Sequence, residues 1–191
     1  MIKLKQYIQA MDCLTMATPE MTATDLYMVA PDDCHKLIKV MTGNDVPEQS
    51  PTVTIGQLEI CLSRLTFPEP SPVLSIKIGE KIYSPCDALV TSMDDDYNPV
   101  EMPYGELDFG TCMECFALLD KTTYKHRALP MLLAYLYTDG ETKFADRIKD
   151  MLKADAQDAN SVFFYLIGMG LGLGNAILSH SLKTIEHQST N

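Results

Sequence analysis

The spacing of apolar residues divides the chain into helical stretches toward both ends and one short stretch of period two between them. Over Lys3 to Met11, Leu4, Tyr7, Ile8 and Met11 fall on one helical face. Thr24-Asp25 is predicted to open a second short helix. Pro31 stands at a first helical position, Asp32 and Asp33 favour the positive end of the dipole, and Leu37, Ile38 and Met41 make the buried stripe before Gly43 ends the helix. Thr54 with Gln57 reads as a capping box opening a helix through Leu58, Cys61, Leu62 and Leu65. Phe67 to Pro72 then stops it and forms a stiff linker.

Here the period changes. Leu74, Ile76 and Ile78 alternate with Ser75 and Lys77, Gly79-Glu80 fits a tight turn, and Lys81, Ile82 and Tyr83 return as the second arm of a β-hairpin. Two strands alone are marginal, so this hairpin must lean on helices or on strands of another chain. Pro85 to Pro103 reads as irregular and acidic. Helical spacing resumes over Tyr104 to Leu119 and again over Tyr124 to Tyr137, where Pro130 starts or kinks the second half. Asp139-Gly140 is a turn. Lys143 to Lys153 is amphipathic, with Phe144, Ile148, Met151 and Leu152 inward, and a last helix follows from about Ala156. Gly56 to Ile60 and Gly105 to Phe109 share an order of Gly, polar, Leu, acid, apolar at an expected helix opening.

The most uniformly apolar stretch is Ser161 to Leu182, 22 residues without Asp, Glu, Lys or Arg. A bilayer-spanning helix needs roughly 20 apolar residues, and Gly168/Gly172 and Gly170/Gly174 have the spacing that lets membrane helices approach closely. Asn175, Ser179, His180 and Ser181 shorten the strongly apolar part, and no basic cluster flanks it. A dinucleotide-binding loop fails at Leu173 and Asn175. The reading that fits best is a buried central helix whose glycines admit neighbouring backbones, at a cost of about 1 kcal/mol each relative to alanine.

The expected fold is therefore mostly α (α+β): an N-terminal helical lobe over 1–66, a hairpin over 73–84, an acidic segment over 85–103 and a C-terminal helical lobe over 104–185 ending in the apolar glycine-rich helix. The N-terminal residues lack a long apolar run, so no signal peptide is expected and the expected compartment is the cytoplasm. Net charge is −11, which opposes non-specific nucleic-acid binding. Nine acids and no base lie between Ile82 and Asp120, Asp94, Asp95 and Asp96 among them. Such a run is a solvated surface or a docking face for a basic partner.

Chemistry is sparse. Cys112 and Cys115 form a CxxC pair, but a second pair is missing; His126 and Cys86 are the residues that could complete a zinc site. Asp94-x-Asp96-x-Asn98 opens like a calcium loop and then fails, with Pro99 in place of glycine and Gly105 in place of the bidentate Glu. The histidines at 35, 126, 180 and 187 stand in no HExxH, and no Ser stands in GxSxG. No catalytic, cofactor or metal residue is assigned. The candidate partner-binding residues are Ile76, Ile78, Ile82 and Tyr83 on the hairpin and Asp94, Asp95 and Asp96 beside it.

The order of elements resembles that of small structural and tail-assembly proteins of tailed bacteriophages. The pieces that carry the resemblance are Ile55-Gly56-Gln57, the hairpin Ile76 to Tyr83, Tyr104-Gly105-Glu106, the apolar Leu132 to Tyr137, and Phe163-Phe164. The acidic insert at 85–103 and the glycine-rich final helix depart from that pattern. The resemblance implies a non-enzymatic virion or assembly component that works through other protein chains, with homo-oligomerisation included, in an infected cell or the particle. A tail-anchored membrane protein, a small acidic regulator of a basic partner and an enzyme of another kind are the alternatives.

With six cysteines scattered through a chain of this length, thiols rather than a disulfide framework are expected. Thiol titration under denaturing conditions should therefore find all six reduced, and elemental analysis should find no stoichiometric zinc. One zinc per chain, lost when Cys112 and Cys115 are replaced by Ser, would overturn this.

Overall fold

The computed structural model describes residues 2–44, 51–86, 90–93, 99–102, 109–164 and 166–167; over 90–93 and 99–102, and at Phe109 and Cys112, it describes the backbone alone. The fold is mostly α with small antiparallel sheets, as the periodicity predicts. The N-terminal part is four helices, α1 (Leu4–Asp12), α2 (Ala23–Val29), α3 (Pro31–Thr42) and α4 (Pro51–Leu65). In α1, Leu4, Tyr7 and Ala10 are buried at a spacing of three. The start of α2 lies one residue ahead of the Thr24-Asp25 expectation. Its cap is Thr22, whose hydroxyl accepts the Asp25 N–H at 3.2 Å while the Asp25 carboxylate accepts the Thr22 N–H at 3.0 Å. Gly43 closes α3 in the left-handed region, φ 77°, and its N–H donates to the Lys39 carbonyl at 2.8 Å.

The expected cap at Thr54 is incorrect. The helix α4 starts at Pro51, and Thr54 lies inside it, 1% exposed. Proline at a helix start presets φ and lacks an N–H that would go unpaired, which outweighs the Thr-x-x-Gln pattern. Gly56 is accordingly inside a helix rather than at its opening, so the first half of the proposed echo does not hold; residues 105–108 of the second half lie outside the described residues.

The hairpin is present as β1 (Ile76–Ile78) and β2 (Lys81–Pro85), with Ile78 opposite Lys81 across a turn in which Gly79 has φ 64°. The alternation does not extend back to Leu74, which is 46% exposed. Val73 is buried in its place, and its carbonyl accepts the Tyr137 hydroxyl at 2.6 Å. The second edge of β2 carries a short strand at Tyr137–Thr138, so the hairpin leans on its own chain.

Part of the expected irregular segment 85–103 is regular. β3 (Val90–Met93) pairs antiparallel with β4 (Pro99–Met102), from Val90 opposite Met102 to Met93 opposite Pro99. The acid-rich sequence between the arms obscured two four-residue strands with only weak apolar alternation. The expected residues 94–98 of that connection lie outside the described residues. β5 is the Tyr137–Thr138 strand already named.

Beyond it, α5 (Phe109–Lys121) is described from residue 109 only, so its predicted start at Tyr104 falls outside the described residues. The apolar stretch Tyr124 to Tyr137 is not one helix. It is a 3-10 turn at Lys125–Ala128, α6 (Leu129–Leu136) with Pro130 in its first turn, and then β5. Pro130 thus starts the helix, consistent with its missing N–H. Gly140, φ 78°, makes the turn into α7 (Phe144–Met151). A final helix, α8, is described over 156–164 and 166–167.

Two cores result. One gathers Leu4 and Tyr7 with the sheet, α6, α7 and α8, including Ile76, Tyr83, Leu133 and Leu166. The other gathers Ala10 with α2, α3 and α4, including Leu26, Leu37, Ile38 and Leu58. Ile2 and Leu65 pack partly against both. The segment before α1 is stitched to the one before α8: Leu4 N–H donates to Ala154 O, Lys5 N–H to Leu152 O and Ala156 N–H to Ile2 O, each at 2.9 Å.

Of the apolar stretch 161–182, Ser161, Val162 and Leu166 are buried in the first core; the glycines from 168 on, and His180, lie outside the described residues. Among the described residues no helix is long and apolar enough to cross a membrane. If α8 packs the core as described, Leu166→Asp should destabilise by several kcal/mol, the cost of an unpaired buried charge. Phe164→Asp, at a half-exposed position of the same helix, should cost under about 1 kcal/mol. Urea unfolding followed by circular dichroism distinguishes the two.

Candidate functional site

The hairpin residues singled out from sequence divide into two groups. Ile76, Ile78 and Tyr83 are buried in the chain's own core, and only Ile82, 56% exposed, faces outward. Asp94, Asp95 and Asp96 lie outside the described residues. What the hairpin offers a partner is therefore backbone. β1 forms the outer edge of the order β1-β2-β5. Across a two-residue turn the flanking pair, Ile78 and Lys81, is the hydrogen-bonded one, so the N–H and C=O of Lys77 point away from β2.

Beneath the hairpin sits a polar cluster that sequence reading missed. Tyr83 donates its hydroxyl to Asp150 Oδ2 at 2.8 Å, Lys81 Nζ donates to the same oxygen at 3.1 Å, and Lys153 Nζ donates to Oδ1 at 2.8 Å. These hydrogen bonds, Lys153 first and then Tyr83 and Lys81, hold the Asp150 carboxyl well below the usual carboxylate range. Lys81 also reaches the Thr142 hydroxyl at 3.0 Å. Asp139 receives the Thr142 hydroxyl and the N–H groups of Thr142 and Glu141, which lowers its carboxyl to about 2. With Lys149 paired to Asp146 at 2.8 Å, this face alternates in sign. The Lys81–Asp150 pair ties β2 to α7, and the face lacks the single-sign field that captures polyanions.

A second cluster joins α1 to the 3-10 turn. Asp12 Oδ1 lies 2.7 Å from His126 Nε2 and accepts the Arg127 Nε–H at 2.8 Å. Burial pushes the Asp12 carboxyl up, but the bonds from Arg127 and His126 outweigh it and the net shift is downward. Arg127 also lies over the Tyr124 ring, 5.1 Å from its centroid. His126 is therefore engaged with Asp12 and away from Cys86, whose thiol donates to the Tyr135 carbonyl at 3.0 Å. Cys115 is buried, and the Cys112 side chain lies outside the described residues. Among the described residues no three His, Cys, Asp or Glu side chains converge as metal ligands. Burial pushes the Cys34 thiol up to about 11 and raises those of Cys13 and Cys61, the opposite of what nucleophilic chemistry needs.

A concavity lies where the two cores meet. It is a cleft of about 680 Å³ between the start of α1, the end of α4 and the residues that lead into α8. Ile2, Met41 and Phe67 give it apolar walls, and Arg64 and Asp155 bring opposite charges to it. No local sequence signal could have joined residues 64 and 155, or 12 and 126, because only the packing of α1 between the cores unites them. Comparison with protein-family models, with curated proteins and with solved structures finds no match to this chain.

The carboxylates give a pH dependence with a definite sign. Asp139 and Asp150 have folded values below the unfolded one near 3.9, so their stabilisation is fully present above about pH 4 and is lost as pH falls toward 2. Urea midpoints measured from pH 5 to pH 2 should fall for the wild-type chain. Asp139→Asn and Asp150→Asn should each start lower at pH 5 and lose less on acidification.

Proposed function

We propose that this chain is a non-enzymatic assembly protein that acts through contacts with other protein chains, of the kind that build the tail or virion of a tailed bacteriophage. The observation that carries this reading is the β3-β4 hairpin. Its two strands pair with each other along four residues each, and make no more than marginal contact with any other described element. A two-stranded ribbon without a third strand or a helix beneath it is marginal in water. Such an arm gains its stability when a second chain supplies the missing layer or strand. The connection between its strands carries Asp94, Asp95 and Asp96, which steer a basic partner toward it. The open edge of β1, with Lys77 facing out, is a second place where a strand can add. The phage setting rests on the resemblance in element order, of which the described residues include the hairpin Ile76 to Tyr83 and the apolar Leu132 to Tyr137.

A regulator of one basic partner is the competing reading, favoured by the same acidic connection. Sedimentation of the purified chain, alone and with a captured partner, tests the proposal. Lys77→Pro removes the outward N–H and should weaken strand addition at β1 about tenfold or more while leaving helical dichroism intact. Replacing Asp94, Asp95 and Asp96 together by Asn should slow association and flatten its salt dependence. A monodisperse monomer that captures no partner, or normal association by both variants, would sink the proposal. Association confined to one basic protein, without higher assemblies, would select the regulatory reading.

A further inference from the structure

We propose that the cleft between the two cores is a binding site for a small zwitterion of the free-dipeptide type, with its carboxylate on Arg64 and its ammonium group on Asp155. The site lies at a junction between two packed units and has the volume, about 680 Å³, typical of small-molecule sites. Its two charged side chains set the ligand class. Arg64 makes no hydrogen bond or ion pair among the described residues, and Asp155 makes no ion pair there. They line one cleft, are opposite in sign, and do not pair with each other. Asp12, Asp33, Asp146 and Asp150, by contrast, each lie 2.8 Å from the nitrogen of an arginine or lysine. A guanidinium and a carboxylate that line one cleft without pairing with each other are complementary to a molecule that carries both charges.

The walls are fixed before any ligand arrives. Gln6 crosses the seam and donates its amide to the Val40 carbonyl at 3.0 Å. The hydroxyls of Ser63 and Thr66 donate to the carbonyls of Ile60 and Leu62, at 2.9 and 3.4 Å. Phe67 is steadied by the Tyr7 ring, 5.4 Å between centroids, and offers an apolar surface for the ligand's side chains. Asp155 Oδ1 accepts the Gln157 N–H at 3.0 Å, which orients the carboxylate and leaves Oδ2 for a ligand. A plain anion would meet repulsion from Asp155, and a plain cation from Arg64, so the pair selects against both.

Calorimetric titration of the full chain with free leucylphenylalanine, its N-acetylated form and its C-terminal amide tests the assignment. The free dipeptide should bind in the micromolar-to-millimolar range, and each blocked form about tenfold or more weakly, the scale of one lost charge-assisted contact. Arg64→Gln should weaken the free dipeptide by a similar factor and abolish the preference for a free carboxylate. Asp155→Asn, which keeps an acceptor for the Gln157 N–H, should abolish the preference for a free amine. Thermal melts should show both variants folded. No binding of the free dipeptide at millimolar concentration would overturn the proposal. So would equal binding of all three forms, or unchanged binding by folded Arg64→Gln. None of these outcomes depends on the assembly role.

Discussion

The rest of the structure depends on α1 being shared. Leu4 and Tyr7 on one side of this short helix belong to the core formed with the sheet and C-terminal helices, while Ala10 belongs to the core formed with α2, α3 and α4. A helix of nine residues is too short to be stable by itself, so its order comes from what packs on it. Each core supplies one wall, and the backbone bonds from residues 2–5 to 152–156 fix its start. Asp12 at its other end is held by His126 and Arg127. Remove α1 and each core loses a side, and the contacts left between the two helical groups include those of Ile2 and Leu65, which pack partly against both.

Much of this could be read from the order of residues. The helices α1, α3 and α7, the β1-β2 turn at Gly79 and the start of α6 at Pro130 follow from periodicity and from what proline and glycine permit locally. The errors came where a local pattern met a stronger competitor. Thr54-x-x-Gln57 has the form of a cap, but Pro51 begins the helix earlier, and Thr54 is buried inside it. Leu74 suits the inward alternation, but the Tyr137 hydroxyl takes the Val73 carbonyl and sets where the strand can start. Tyr137 itself continues the apolar run of α6, yet leaves the helix to pair with β2, and no local pattern in the run marks that change. The candidate sites were less legible. Lys81, Tyr83 and Asp150 meet across β2 and α7, and Arg64 and Asp155 line one cleft at the seam, in ways that no motif of fixed spacing encodes.

The polar groups themselves divide by task. Donors from other elements on Asp12 and Asp150, and from its own turn on Asp139, lower the proton affinity of these carboxylates; the first two fasten elements together and the third fixes a turn. Burial shifts the thiols of Cys34 and Cys61 the other way, toward the protonated form. Among the described residues, the groups left with capacity include those of the cleft and the outward backbone of β1, and the proposed zwitterion binding and strand addition draw on these.

The ladder between residues 2–5 and 152–156 has a consequence for biosynthesis. A ribosome delivers α1 to α4 long before Ala154 emerges, so the first lobe waits with the Leu4 and Tyr7 side of α1 bare. Only when the chain has been extended through α8 can the early helix find its partners, a contact of very high sequence separation and correspondingly slow closure. During that interval the nascent chain displays an apolar stripe that invites chaperones or a neighbouring nascent copy.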